Sequence, residues 1–192
     1  MMGRAAVLTS ILLGMPAAAG ADQGPQAQFF AAVQELCGQA FAGNLVSAGS
    51  GPNPFADQTM VMHVRECSTE EIRIPFHIGD NRSRTWVLRR TASGLELKHD
   101  HRHEDGSEEA VSWYGGHTLS PGTATLQAFP VDEESREMFI REGRDQSLDN
   151  TWYFGLNPGE QFSYRLSSGV REFAVEFDLR QAVAAPPPPW GS

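Results

Sequence analysis

Between residues 25 and 37, Phe29, Phe30, Val33, Leu36 and Cys37 recur at steps of three and four, the spacing of one apolar face of an α-helix. Gly38 and Gly43 break that pattern, and from there almost to the end of the chain the period is two. Met60, Met62 and Val64 alternate with Val61, His63 and Arg65, and Ile72, Ile74, Phe76 and Ile78 alternate with Arg73, Pro75 and His77. Gly79-Asp80-Asn81 predicts a turn, after which 85–90 returns as a strand. Pro75 has no N–H to give a ladder, so it marks an edge or a bulge. Phe173, Val175, Phe177 and Leu179 line one face of the last strand. Ser167-Ser168-Gly169 turns it back on 161–166, where Phe162, Tyr164 and Leu166 take the core side. A helix interrupts at 132–141: Asp132 is an N-cap residue, acids fill the first turn, and Gly143 stops it.

The segments add up to about nine or ten short strands with two short helices. The links are too short, and the helices too few, for repeated parallel crossovers, so the pairing is antiparallel. That many twisted strands close into a barrel or fold into a sandwich; an all-β, calycin-like or cupin-like antiparallel barrel is the expectation.

Two ends of the chain lie outside this pattern. Arg4, the apolar run from Ala5 to Met15 and the small residues from Pro16 to Ala21 read as a secretory signal peptide over 1–21, with no membrane anchor. At the other end, four consecutive prolines before Trp190 predict a disordered tail over 183–192, leaving one domain over 22–182. Export in turn gives the two cysteines a meaning: an even count in an oxidising compartment predicts a Cys37–Cys67 disulfide. A net charge of −9 over 192 residues argues against nucleic acid and against anionic lipid as partners.

The candidate chemistry lies between Gly94 and Gly115. Asp105-Gly106 between two alternating runs is a strong hairpin signal. A two-residue type I′ loop would set Glu104 opposite Ser107, His103 opposite Glu108 and Arg102 opposite Glu109. One face then reads Leu95, Leu97, His99, His101, His103, and the other Glu96, Lys98, Asp100, Arg102, Glu104. The all-charged face should be wet, which turns the histidines inward with Glu108 beside His103. Alternate strand residues stand roughly 7 Å apart, so two imidazoles can share one ion. His101, His103 and Glu108 thus form a candidate site for a transition metal, zinc or iron, and His99 and Tyr114 are candidate ligand-binding residues. Rim histidines with no ligand are the alternative, as is a haem or other ligand cavity. His63 and His77, on other strands, read as structural.

Gly94, His101-Arg102-His103, Glu108 and Gly115 resemble the first motif of the cupins, with one extra residue between Gly94 and His101. That resemblance covers about 22 residues and implies a mononuclear metal enzyme; no histidine follows His117 to supply the second motif's ligand. Cys37-Gly-x-x-Phe-x-Gly43, Ile74-Pro-Phe-His and the 98–106 segment resemble an uncharacterised group of small exported bacterial proteins, which implies export and one domain but no activity. The helix leading into an antiparallel meander looks like the calycin-type ligand carriers. The functional expectation is an exported β-barrel that binds a small molecule or a metal. A cupin-type metal enzyme and a structural envelope protein are the alternatives.

Overall fold

In the computed structural model, which describes residues 24–48, 55, 57–169 and 171–192, the first helix forms where the three-and-four spacing places it. This helix, α1 (Pro25–Gln34), begins on a proline, whose missing N–H costs nothing in a first turn, and it buries Phe29, Phe30 and Val33 completely. The signal-peptide expectation lies outside the described residues. Among those residues no helix is long and apolar enough to cross a membrane.

Eleven strands follow: β1 (Ala40–Ser47), β2 (Met60–His63), β3 (Glu66–Cys67), β4 (Glu71–Ile78), β5 (Asn81–Thr91), β6 (Gly94–His101), β7 (Tyr114–His117), β8 (Leu126–Pro130), β9 (Thr151–Asn157), β10 (Gln161–Ser167) and β11 (Glu172–Val183). A second helix, α2 (Glu133–Arg141), separates β8 from β9. Asp132 caps it, its carboxylate accepting from the Ser135 N–H.

Ten strands run round a nearly closed antiparallel barrel in the order β7-β6-β5-β4-β2-β1-β11-β10-β9-β8, and the two-residue β3 pairs with β4 alone. The barrel closes where Gly116 bridges Val131 and the Asp132 N–H donates to the Gly115 carbonyl at 3.0 Å. Side chains are excluded from this seam: a Cβ on Gly115 would meet the Leu97 carbonyl, and one on Gly116 the Pro130 carbonyl. Every strand of the circuit neighbours the next in sequence, an up-and-down order. That is an up-and-down barrel and not the double Greek key of a jelly roll.

Pro75 occupies an interior strand, not an edge. It sits where pairing with β2, ending at Met62 opposite Phe76, gives way to pairing with β3, beginning at Glu66 opposite Arg73. The missing donor falls in that gap.

The barrel is filled. Trp86 stacks between Phe76 and Tyr164, with ring centroids 4.6 and 4.5 Å away, and Phe154, Phe162 and Phe177 close round them. α1 caps one end. Gln26 reaches Thr118 and the Ser120 carbonyl, and the Arg90 guanidinium lies 5.3 Å from the Phe30 ring. The Cys37–Cys67 disulfide, spanning 30 residues of sequence, ties the chain just beyond that helix to β3. The opposite end is open.

Two expectations about the outside of the barrel need correction. The charged face of β6 does point outward, but it is not wet: Lys98 is 6 % exposed and Asp100 4 %. Lys98 holds α2 down through Asp132 (2.8 Å) and Glu134 (3.3 Å), and Asp100 accepts from Arg73 (2.8 Å) and Arg102 (2.7 Å). Burial alone would lower the Lys98 pKa, but its hydrogen bonds to the two carboxylates raise it overall. The prolines of the tail do not leave it disordered either. They run extended along the barrel wall, with the Trp190 N–H donating to the Arg82 carbonyl and the Arg82 guanidinium to the Pro188 carbonyl. Pro189 is buried. Proline bars a strand, but an extended proline segment needs no ladder to pack.

Candidate functional site

The hairpin after β6 turns one residue away from the expected register. The Gly106 N–H donates to the His103 carbonyl and the His103 N–H to the Ser107 carbonyl, with Gly106 at φ +87°. This is a three-residue loop in which a left-handed glycine follows a tight turn, not the two-residue type I′ loop. Asp105 fixes it, its carboxylate accepting from the Ser107 N–H (2.9 Å) and hydroxyl (2.6 Å). Arg102 therefore bridges Glu108, and the Glu109 N–H donates to the His101 carbonyl. Because side chains alternate, that single step exchanges the faces of the two glutamates.

The proposed metal set consequently separates. His103 is exposed at the tip. Glu108 lies outside the barrel, accepting from Arg102 (2.9 Å) and from the Trp113 indole (3.0 Å). His101 alone of the three faces the interior. Among the described residues no group of three His, Cys, Asp or Glu side chains converges on a point suited to a metal ion.

The inner histidines instead join tyrosines. His99 is 3 % exposed and lies flat on Tyr114, the two rings 4.7 Å apart and 8° from parallel. Its Nδ1 faces the Tyr114 carbonyl at 3.2 Å, which can only accept, so the ring proton sits there and Nε2 accepts from the Tyr164 hydroxyl at 2.9 Å. With both nitrogens occupied and a ring stacked over it, His99 is not free to touch a ligand. It positions Tyr114 and Tyr164. Burial, then the neighbouring His101, pushes its pKa down to about 3. His101 meets the Tyr114 hydroxyl through Nε2 at 3.0 Å, while Glu109 stands 3.6 Å from Nδ1. Burial and the charge of Arg84 hold His101 down to about 4, and burial lifts Tyr114 to about 12.

His101, Tyr114 and Tyr164 border a pocket of about 300 Å³ at the open end of the barrel. Its floor is apolar and mostly aromatic, built from Tyr114, Phe139, Trp152, Tyr164 and Leu166. The rest of its lining is polar: His101 with Glu109 beside it, Arg84, Arg144 and Arg171, and the uncharged Gln146, Ser147 and Asn150. Arg171 is held in place by Nη2, which donates to the Gln146 carbonyl, Ser147 and Asn150 at 3.0–3.3 Å. A neutral imidazole and a protonated phenol leave neither group poised to exchange a proton near neutral pH. What the lining offers is hydrogen-bonding groups, positive charge and aromatic surface.

Of the residues singled out in the sequence, Tyr114 and His101 line this pocket, His99 lies beneath it, and His103 and Glu108 lie away from it. Arg84, Glu109, Arg144 and Arg171 were not anticipated. Arg84 could have been found, since it stands two residues before the inward Trp86 and so shares its face. Arg144 and Arg171 sit in connections, where no alternation points them anywhere. No family model, no curated protein and no solved structure matches this chain.

Proposed function

We propose that this protein is exported and binds a small organic molecule in the pocket at the open end of its barrel. The observation that carries the reading is the pocket's make-up: aromatic side chains meet convergent polar and charged groups, so one concave site offers both apolar contact and orienting polar contacts. Its volume lies at the small end of the roughly 300–1,000 Å³ such sites occupy. The aromatic filling of the barrel leaves the ligand at the mouth, unlike a carrier that swallows its cargo. The residues at 1–21 and the disulfide support export into an oxidising compartment.

A thermal-shift screen with aromatic acids, phenols and aromatic amines tests the binding reading. Compounds that raise the Tm of the wild type should lose their effect on Leu166→Trp, which fills the pocket from its floor. No shift from any compound, or equal shifts in a folded Leu166→Trp protein, would refute it. Export is tested separately: the chain expressed with its first 21 residues should yield a mature protein beginning near residue 20 or 22, outside the cytoplasm.

A further inference from the structure

The charge around the pocket is opposite to that of the whole protein. The chain carries 24 acids against 15 bases, so a guanidinium has no shortage of carboxylates to pair with. Seven of the thirteen described arginines do have an ionic partner: Arg65, Arg73, Arg89, Arg102, Arg141, Arg165 and Arg180. Arg84, Arg144 and Arg171 are among the six that do not, and all three line this one pocket. Arg84 touches only Asn81 and Ser83 by hydrogen bond, and Arg171 only neutral acceptors, so both keep free donors. Against these three positive charges the described residues of the lining set one carboxylate, Glu109, which stands 3.6 Å from His101.

Resting on the reading of this pocket as a ligand site, we propose that its ligand is a small organic anion, a carboxylate on a flat apolar body. The anionic head would lie among Arg84, Arg144 and Arg171, and the body against Trp152, Tyr114 and Leu166. Arginine suits the head because its planar fork meets both oxygens of a carboxylate at once. The Tyr114 hydroxyl, engaged by His101, adds a neutral polar contact between the two zones. The fields of Arg84 and Arg171 both reach the Tyr114 phenol and oppose the effect of its burial, so the two guanidiniums act on the same small volume.

The test uses three probes of one shape: 2-naphthoate, its neutral amide, and 2-naphthylmethylammonium, each titrated into the full mature chain and followed by tryptophan fluorescence and calorimetry. The acid should bind roughly tenfold or more tighter than the amide, and the ammonium should bind weakest. Arg84→Gln and Arg144→Gln should each weaken the acid by roughly fivefold while leaving the amide unchanged, and Glu109→Gln should tighten it. Because Arg171 also holds the 146–150 connection, Arg171→Gln is read only after its melting curve matches the wild type. Equal affinity for acid and amide, or arginine variants that change neither, would overturn the anion inference while leaving a ligand pocket in place. Inorganic phosphate competing as well as 2-naphthoate would overturn the apolar body. If none of the three probes binds, or all bind Leu166→Trp unchanged, the pocket reading falls and the inference with it.

Discussion

Three histidines held in their neutral form, His77 and His99 buried and His101 largely so, should make this fold lose stability in mild acid. Burial is the main cause of each depression: His77 and His101 are brought to about 4, and His99 to about 3, from an unfolded value near 6.5. As pH falls below 6.5 the unfolded chain takes up protons that the folded chain refuses, so stability present above that pH is progressively lost. At pH 5.5 an unfolded imidazole is about nine-tenths protonated and these folded ones hardly at all, a cost slightly above 1 kcal/mol per ring. The three together should remove roughly 4 kcal/mol between pH 7.5 and 5.5, a large part of the 5–15 kcal/mol that holds a typical domain. That figure depends only on the folded values lying well below 5.5. His63, also lowered by burial, acts in the same direction. Asp132, with its pKa held down by Lys98 and Ser135 against the effect of burial, loses its contribution only at lower pH and does not enter this window. Urea unfolding of the oxidised protein, followed through Trp86 and Trp152, measures the loss; the midpoint should fall by about 2 M with little change in slope. His101→Gln should cut the pH dependence by about one proton. A loss under about 1 kcal/mol, or rings that titrate near 6.5 in the folded protein by NMR, would refute the reasoning.

Other consequences follow from the closure of the barrel and its covering. Replacing both Cys37 and Cys67 by serine opens a 30-residue loop and should cost about 3–4 kcal/mol, read as a lower urea midpoint at pH 7; a change below about 1 kcal/mol would contradict it. Gly116→Ala places a Cβ against the Pro130 carbonyl and should part β7 from β8 at a cost of about 3 kcal/mol or more, with lost exchange protection at the Asp132 amide. Truncation after Val183 removes the prolines that line a cavity with His77, and the His77 pKa should rise from about 4 toward 6.5 by NMR titration. An unchanged value would show that the tail contributes nothing to its burial.

The strands could be read from the sequence because a barrel wall has one apolar face, and alternation reports it directly. Phe162, Tyr164 and Leu166 lie opposite Phe177, Val175 and Phe173 along β10 and β11, with the core side as the pattern requires. α2 could be read from Asp132 and Gly143 for an equally local reason. The hairpin tip could not, because Asp105-Gly106 suits both a two-residue and a three-residue loop. The choice between them fell to the Asp105 carboxylate bonding to Ser107. One residue of difference moved Glu108 out and Glu109 in. Lys98 and Asp100 read as solvated because their partners, Asp132 and Arg73, lie far off in sequence and arrive only with the fold.

The inner wall itself changes character along the barrel axis, and this places the site. Toward the mouth β6 reads Leu95, Leu97, His99, His101, and β5, running the other way, reads Leu88, Trp86, Arg84. Along these two strands the inward residues pass from Leu88, Leu95 and Leu97 through Trp86 and His99 to Arg84 and His101 at the pocket. Packing alone does not ask for that gradient. Leucine at 99 and 101 would fill the same wall without desolvating an imidazole, and phenylalanine at 114 would keep the ring contact with Phe139. Tyrosines partner these imidazoles: the Tyr164 hydroxyl and the Tyr114 carbonyl take both nitrogens of His99, and the Tyr114 hydroxyl takes Nε2 of His101. The polar groups thus support one another in a chain that leads from the filled interior to the pocket. The costs of such burial, visible as depressed histidine pKa values, fall where the barrel meets solvent and where Arg84, Arg144 and Arg171 stand without carboxylate partners. Stability is given up at the end of the barrel that holds this pocket.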